Sequence, residues 1–319
     1  MIIKERLIMK KNGEFNKLII LNFFMLVFFI TMLLVGTFND EAISKTLYSP
    51  DNLPLKLITA IGAYPFFAFC VVFSGCLFER TLHSNAGKGT KIFLSILLVI
   101  FITFIGFIGS GTLAERDSLG SIFPNMDRNI PVIIVISLVT VFPLSYLGYR
   151  LAKKSDDPKL VKHILCLFIL LVIAYASLQV LKGIFNRPRY RLVVTGQEGI
   201  GFIPWYERFT GASKYIEDYG INKGEFRSFP SGHSILSASM ILCFQTLSWL
   251  CPKLKNKRFL LAFLGFLFSV IIMLTRIILG AHYLSDVAFG AIIVVILSFI
   301  YSIFTNADRG DKHTPSLHN

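Results

Sequence analysis

The sequence predicts an all-α fold, a polytopic membrane bundle of about eight transmembrane helices. Three observations point to it. Of the 319 residues, 54% are hydrophobic and only 16% charged, where a soluble domain carries roughly a quarter charged residues. The apolar residues fall in blocks long enough to cross a bilayer, which takes about 20 residues per helix. Lysine and arginine crowd alternate connections, the asymmetry that marks cytoplasmic loops.

The blocks run at roughly 18–36, 57–78, 92–113, 131–149, 163–181, 233–251, 259–279 and 283–304. The first follows a basic lead (Lys4, Arg6, Lys10, Lys11, Lys17), as a signal peptide would. Its apolar run is longer than a signal core and no small-residue cleavage site follows, so it reads as a retained span. With the N-terminus inside, the inner connections hold Arg80, Lys88 and Lys91, then Arg150, Lys153, Lys154, Lys159 and Lys162, then Lys253, Lys255, Lys257 and Arg258. The first two outer connections hold Lys45 and Lys56, then Arg116 and Arg128, and are richer in acids: Asp40, Glu41 and Asp51; Glu115, Asp117 and Asp127. Eight spans return the C-terminus to the cytoplasm, so both termini are expected inside.

The net charge of +13 would suggest nucleic acid in a soluble chain. Here the inner loops account for it, and no nucleic-acid partner is expected. Five cysteines (Cys70, Cys76, Cys166, Cys243, Cys251) lie in apolar blocks or at their inner ends, which implies no disulfide framework. No metal-ligand spacing is present, so neither metal nor cofactor is expected.

One connection breaks the charge rule. The outer loop 183–232 carries Arg187, Arg189, Arg191, Arg208, Lys214, Lys223 and Arg227, and anion binding is the natural reason for a basic cluster on that face. Its aromatic stretch, Phe202 to Tyr206, is balanced between an interfacial anchor and an ordinary folded loop.

Three segments on this face carry polar residues at span ends. In the first, Lys182 and Arg189 flank the exit of the fifth span; alone, such a lysine is more often a snorkelling anchor. In the second, Pro230-Ser231-Gly232-His233 opens the sixth span. A helix start offers unpaired N–H groups and the positive dipole end to an anion, although a lone serine there is more often a plain N-cap. In the third, Arg276, His282 and Asp286 span the join of the last two blocks. His282 and Asp286 are four apart, a spacing that puts a carboxylate beside an imidazole on one helix face. Of six histidines, only His233 and His282 fall outside.

Together the segments resemble the signature of the type-2 phosphatidic acid phosphatase superfamily, K-x6-RP, PSGH and SR-x5-H-x3-D. That superfamily includes membrane lipid phosphate phosphatases, soluble acid phosphatases and vanadium haloperoxidases. Pro230 to His233 match unchanged; Tyr190 replaces the final proline of the first motif and Thr275 the serine of the third. The likeness covers roughly residues 160–304. It implies a phosphatase core of the acid phosphatase/vanadium haloperoxidase type over 131–304, after three N-terminal spans (1–130) and before a cytoplasmic tail (305–319).

The resemblance further implies metal-free phosphoryl transfer from a lipid phosphate in the membrane. His282 would be the nucleophile, oriented by Asp286, and His233 the general acid. Lys182, Arg189, Ser231, Gly232 and Arg276 would hold the phosphate. Arg187, one register from Arg189, is an alternative for part of its role. A phosphotransferase using the same site, a transporter and a catalytically silent binder are the competing classes.

Overall fold

The computed structural model describes residues 2–310, with side chains from 13 to 306; the tail histidines His313 and His318 lie outside the described residues. Among the described residues there are helices and no strands. Eight helical stretches are long and apolar enough to span a membrane. The protein is a multi-pass membrane protein.

Helix α1 (Ile2–Leu47) runs well past the first apolar block, and this extension carries Asp40 to the far end of the bundle. Helix α2 (Leu53–Ala60) is capped by the Asn52 side chain, which accepts from Leu55 N at 3.1 Å. A break at residues 61–63 separates it from α3 (Tyr64–Leu82), so the second span is bent. Helices α4 (Lys88–Ala114) and α5 (Ile130–Lys154) follow, then α6 (Leu160–Phe185). The long loop after α6 holds two short helices, α7 (Tyr190–Val193) and α8 (Ala212–Tyr219). The sixth span is α9 (Gly232–Ala238) followed directly by α10 (Met240–Leu250); α11 (Arg258–Ile278) and α12 (Leu284–Gly310) complete the bundle.

The spans are not equivalent. The sixth is 83% buried and the fourth only 6%, so α9–α10 forms the axis and α5 faces lipid. That explains why the sixth span tolerates so many hydroxyls. Ser234, Ser237, Ser239, Thr246 and Ser248 are all buried, and Ser237, Ser239 and Thr246 donate to backbone carbonyls of the same span, bonds that lipid cannot supply. Leu138 and Phe142 of α5 are more than 70% exposed, as suits side chains solvated by lipid.

Apolar helices gain little from hiding apolar surface from apolar lipid, so close backbone approach by small residues matters instead. At Gly148 of α5 a Cβ would run into the Val72 carbonyl of α3, and at Gly75 into the Ser145 carbonyl. On α1, a Cβ at Gly36 would lie 2.7 Å from Ser285 N and 2.9 Å from Asp40 Oδ1. We expect Gly148→Leu to force α3 and α5 apart and destabilise the protein by about 1–3 kcal/mol. A thermal melt of the detergent-solubilised protein matching wild type would contradict that packing argument.

Candidate phosphate-binding site

Pro188 sets where α6 ends. It cannot donate to a helical ladder and disfavours helical geometry in the residue before it. Asn186 takes the left-handed conformation at φ 49°, and the chain leaves the helix with Lys182 in its last turn. Arg189 then anchors the extended segment, its N–H donating to Glu225 O at 2.8 Å.

Ser231 is the N-cap of α9, its Oγ accepting from Ser234 N at 3.3 Å. The peptide before it, Phe229–Pro230, is cis. Ser231 N donates to Asp286 O at 3.1 Å, which ties the second segment to the third. A Cβ at Gly232 would lie 3.4 Å from Lys182 Nζ, so the ammonium of the first segment lies beside the second. That separation is ordinary contact, and the protein's own sterics do not demand glycine there.

The third segment depends on Gly280. It ends α11 with φ +65°, its N–H bonding Ile277 O at 2.9 Å while Ala281 N bonds Arg276 O at 3.1 Å. This is the paired C-terminal bonding of a Schellman motif, which favours glycine at the left-handed position. A Cβ there would also strike the Tyr48 ring at 2.5 Å. The turn brings His282 back beside Arg276.

His282 therefore sits in that turn and not on a shared helix face with Asp286, as the spacing alone suggested. Its Nδ1 is 2.7 Å from Ser228 O. A carbonyl can only accept, so Nδ1 carries the proton and Nε2 is left with its lone pair. Burial keeps this imidazole neutral, its pKa lowered to about 3. The Asp286 carboxylate stands 3.8 Å from Nδ1, and its close partners are others. It accepts from Ser228 Oγ, from Tyr283 N at 2.9 Å and from Arg187 Nη1 at 2.6 Å. Asp286 thus positions residue 228, and the Ser228 carbonyl orients the ring.

Arg187 is not a substitute for Arg189. It is fully buried, held by Asp286, by Asp40 at 3.0 Å, by Ser285 Oγ at 2.9 Å and by Ile203 O at 2.7 Å. Its guanidinium lies 4.0 Å from the centroid of the Tyr283 ring. The aromatic stretch packs over this network and is no free interfacial anchor. Trp205 stacks on Phe229 and donates to Thr37 Oγ1 at 2.9 Å, and Phe202 meets Tyr283 edge-on. Only Tyr206 stays exposed.

Arg189 and Arg276 converge on one carboxylate, that of Asp117. Arg191 joins them at 2.8 Å while also forking onto Glu225, whose carboxyl these contacts with Arg191 hold below its ordinary range against the opposing effect of burial. Arg276 Nη2 is 3.1 Å from Asp117 Oδ2, yet without hydrogen-bonding geometry. Four buried nitrogens of this cluster have no hydrogen-bond partner: Arg189 Nε, Arg276 Nε and Nη2, and His233 Nε2. Buried polar nitrogens are rarely left so, and their concentration beside Lys182 makes this the candidate anion site. Among the described residues, no group of three or more His, Cys, Asp or Glu is placed to hold a metal.

The sequence model of the PAP2 superfamily matches residues 160–309. The chain carries a PAP2 superfamily domain. No curated protein and no solved structure matches. All the candidate residues read from the sequence lie within the PAP2 region. Asp117 and Asp40, which sequence reasoning took only as acids of outer connections, lie outside it, the first between α4 and α5 and the second on the extension of α1.

Removing Asp40 leaves Arg187 paired with Asp286 but takes the acceptor from buried donors, Arg187 Nη2 and Ser285 N and Oγ. Asp40→Ala should therefore cost about 1–3 kcal/mol, read as a fall in melting temperature with Arg187 still bound to Asp286. A variant as stable as wild type would show that Asp40 does not hold the network.

Proposed function

We propose that this protein is a membrane lipid phosphate phosphatase acting at the outer face, on a phosphomonoester or pyrophosphate of a lipid. The carrying observation is the cationic cluster of Lys182 with buried Arg189 and Arg276, whose Nε atoms and Arg276 Nη2 have no hydrogen-bond partner, at the same helix ends as a neutral imidazole with Nδ1 bonded to a carbonyl. Membership of the PAP2 superfamily supports phosphatase chemistry, and the loop charges support the outer placement.

In this reading His282 Nε2 attacks phosphorus and the ester P–O bond breaks. The departing oxygen takes a proton from His233, while Lys182, Arg189, Arg276, Ser231 and the Gly232 N–H hold the equatorial oxygens. Water then attacks the phosphohistidine, P–N cleaves, and inorganic phosphate leaves as His233 accepts the water proton. Positioning and charge do most of the work, as in phosphoryl transfer generally. The cationic side chains take the part that metal ions play elsewhere. For undecaprenyl pyrophosphate the leaving group is the lipid monophosphate; for phosphatidylglycerol phosphate or phosphatidic acid it is the alcohol.

The test is phosphate release from a panel of these lipids in detergent. His282→Ala should lower turnover about 1000-fold or more while the protein still inserts, and full activity in that variant would sink the assignment. EDTA should leave the wild-type rate unchanged; a loss restored by a divalent ion would instead place a metal in the reaction.

A further inference from the structure

The carboxylate of Asp117 lies against Arg189 and Arg276, the arginines assigned above to the phosphate. Both its oxygens are bound by arginines, Oδ1 by Arg191 and Oδ2 by Arg189 and Arg276, and its backbone carbonyl accepts from Arg276 Nη1 at 3.2 Å. It comes from the connection between α4 and α5, outside the PAP2 region, and is only 15% exposed. Beside it lies a cavity of about 430 Å³ whose walls include Lys56, Arg116 and Asp127, room into which the side chain can withdraw. Arg191 would stay neutralised by Glu225, bound through both oxygens at 2.8 Å. Withdrawal would therefore free Arg189 and Arg276, with Lys182 beside them.

What can displace it follows from oxygen count and charge. A carboxylate brings one negative charge and two oxygens, and with it in place Arg189 Nε, Arg276 Nε and His233 Nε2 remain unpaired. The phosphodiester of an ordinary bilayer lipid also offers one charge and two non-bridging oxygens, so exchanging it for Asp117 gains neither charge nor acceptors. A terminal phosphate offers three oxygens and, above its second pKa of about 6, nearly two charges. Charge-assisted bonds to guanidinium are the strong class, so the terminal group wins the exchange. The diester does not.

We propose that Asp117 is a specificity-determining residue, an internal competitor that reserves the site for terminal phosphates and excludes the phosphodiesters that crowd the same membrane surface. This rests on the phosphatase reading, yet its test does not require turnover. Calorimetry on the purified full-length protein in detergent, at about pH 7.5, compares inorganic phosphate with dimethyl phosphate as the diester probe. Wild type should bind phosphate and take dimethyl phosphate at least about tenfold more weakly. Asp117→Asn should bind phosphate about tenfold tighter and now accept dimethyl phosphate, and Asp117→Glu should restore discrimination. Equal binding of the two probes by wild type would overturn the proposal without recourse to any variant. So would weaker phosphate binding in a folded Asp117→Asn protein, because Asp117 would then be holding the arginines in place. If these differences hold while no lipid phosphate is hydrolysed, the phosphatase reading fails and the role of Asp117 stands. Hydrolysis without the differences removes Asp117 alone.

Discussion

The bond from Arg187 to Asp286 is the constraint on which the other contacts at this end of the bundle depend. Both groups are fully buried at the head of α12, where separating two charges costs far more than in water. Asp286 can answer Arg187 with one oxygen and still hold Ser228 and the first turn of α12 with the other. Ser228 in turn presents the carbonyl that sets the His282 tautomer. One ion pair thus reaches the His282 ring through a single intermediate residue.

Asp40 extends that network into the N-terminal helix. Its carboxylate accepts from Arg187 and from Ser285 N and Oγ, and Gly36 one turn earlier lets α1 approach Ser285 closely. The loop between α6 and α9 closes over the pair, with Ile203 O on Arg187 Nε and Phe202 over the guanidinium, beside Tyr283 at the head of α12. A buried arginine needs its donors satisfied, and here α1, α12 and that loop each contribute. The N-terminal spans are therefore part of the site's support, although they fall outside the PAP2 region.

The two arginine systems are alike in burial and differ in how far their donors are met. Arg187, sealed and fully bonded, is structural. Arg189 and Arg276, only partly answered by Asp117, retain unmet donors. Two residues apart in sequence and identical in kind, Arg187 and Arg189 differ because of the acids they meet, Asp286 and Asp40 for the first and Asp117 for the second. Neighbouring spacing could not separate them.

Eight apolar blocks, their alternating loop charge and the three polar segments at their ends were legible in the residues alone, because bilayer thickness and the cost of charge in lipid act on local composition. The break of α6 and the turn at Gly280 were encoded just as locally, by Pro188 and by a residue suited to positive φ. What the chain order could not convey was which acid meets which arginine. Asp117 and Asp40 lie 72 and 147 residues from Arg189 and Arg187, and acids in outer loops are what topology alone would lead one to expect. Only the packed bundle distinguishes a solvated loop carboxylate from one held by three guanidinium groups, since Coulomb energy depends on distance and burial and neither is written in sequence.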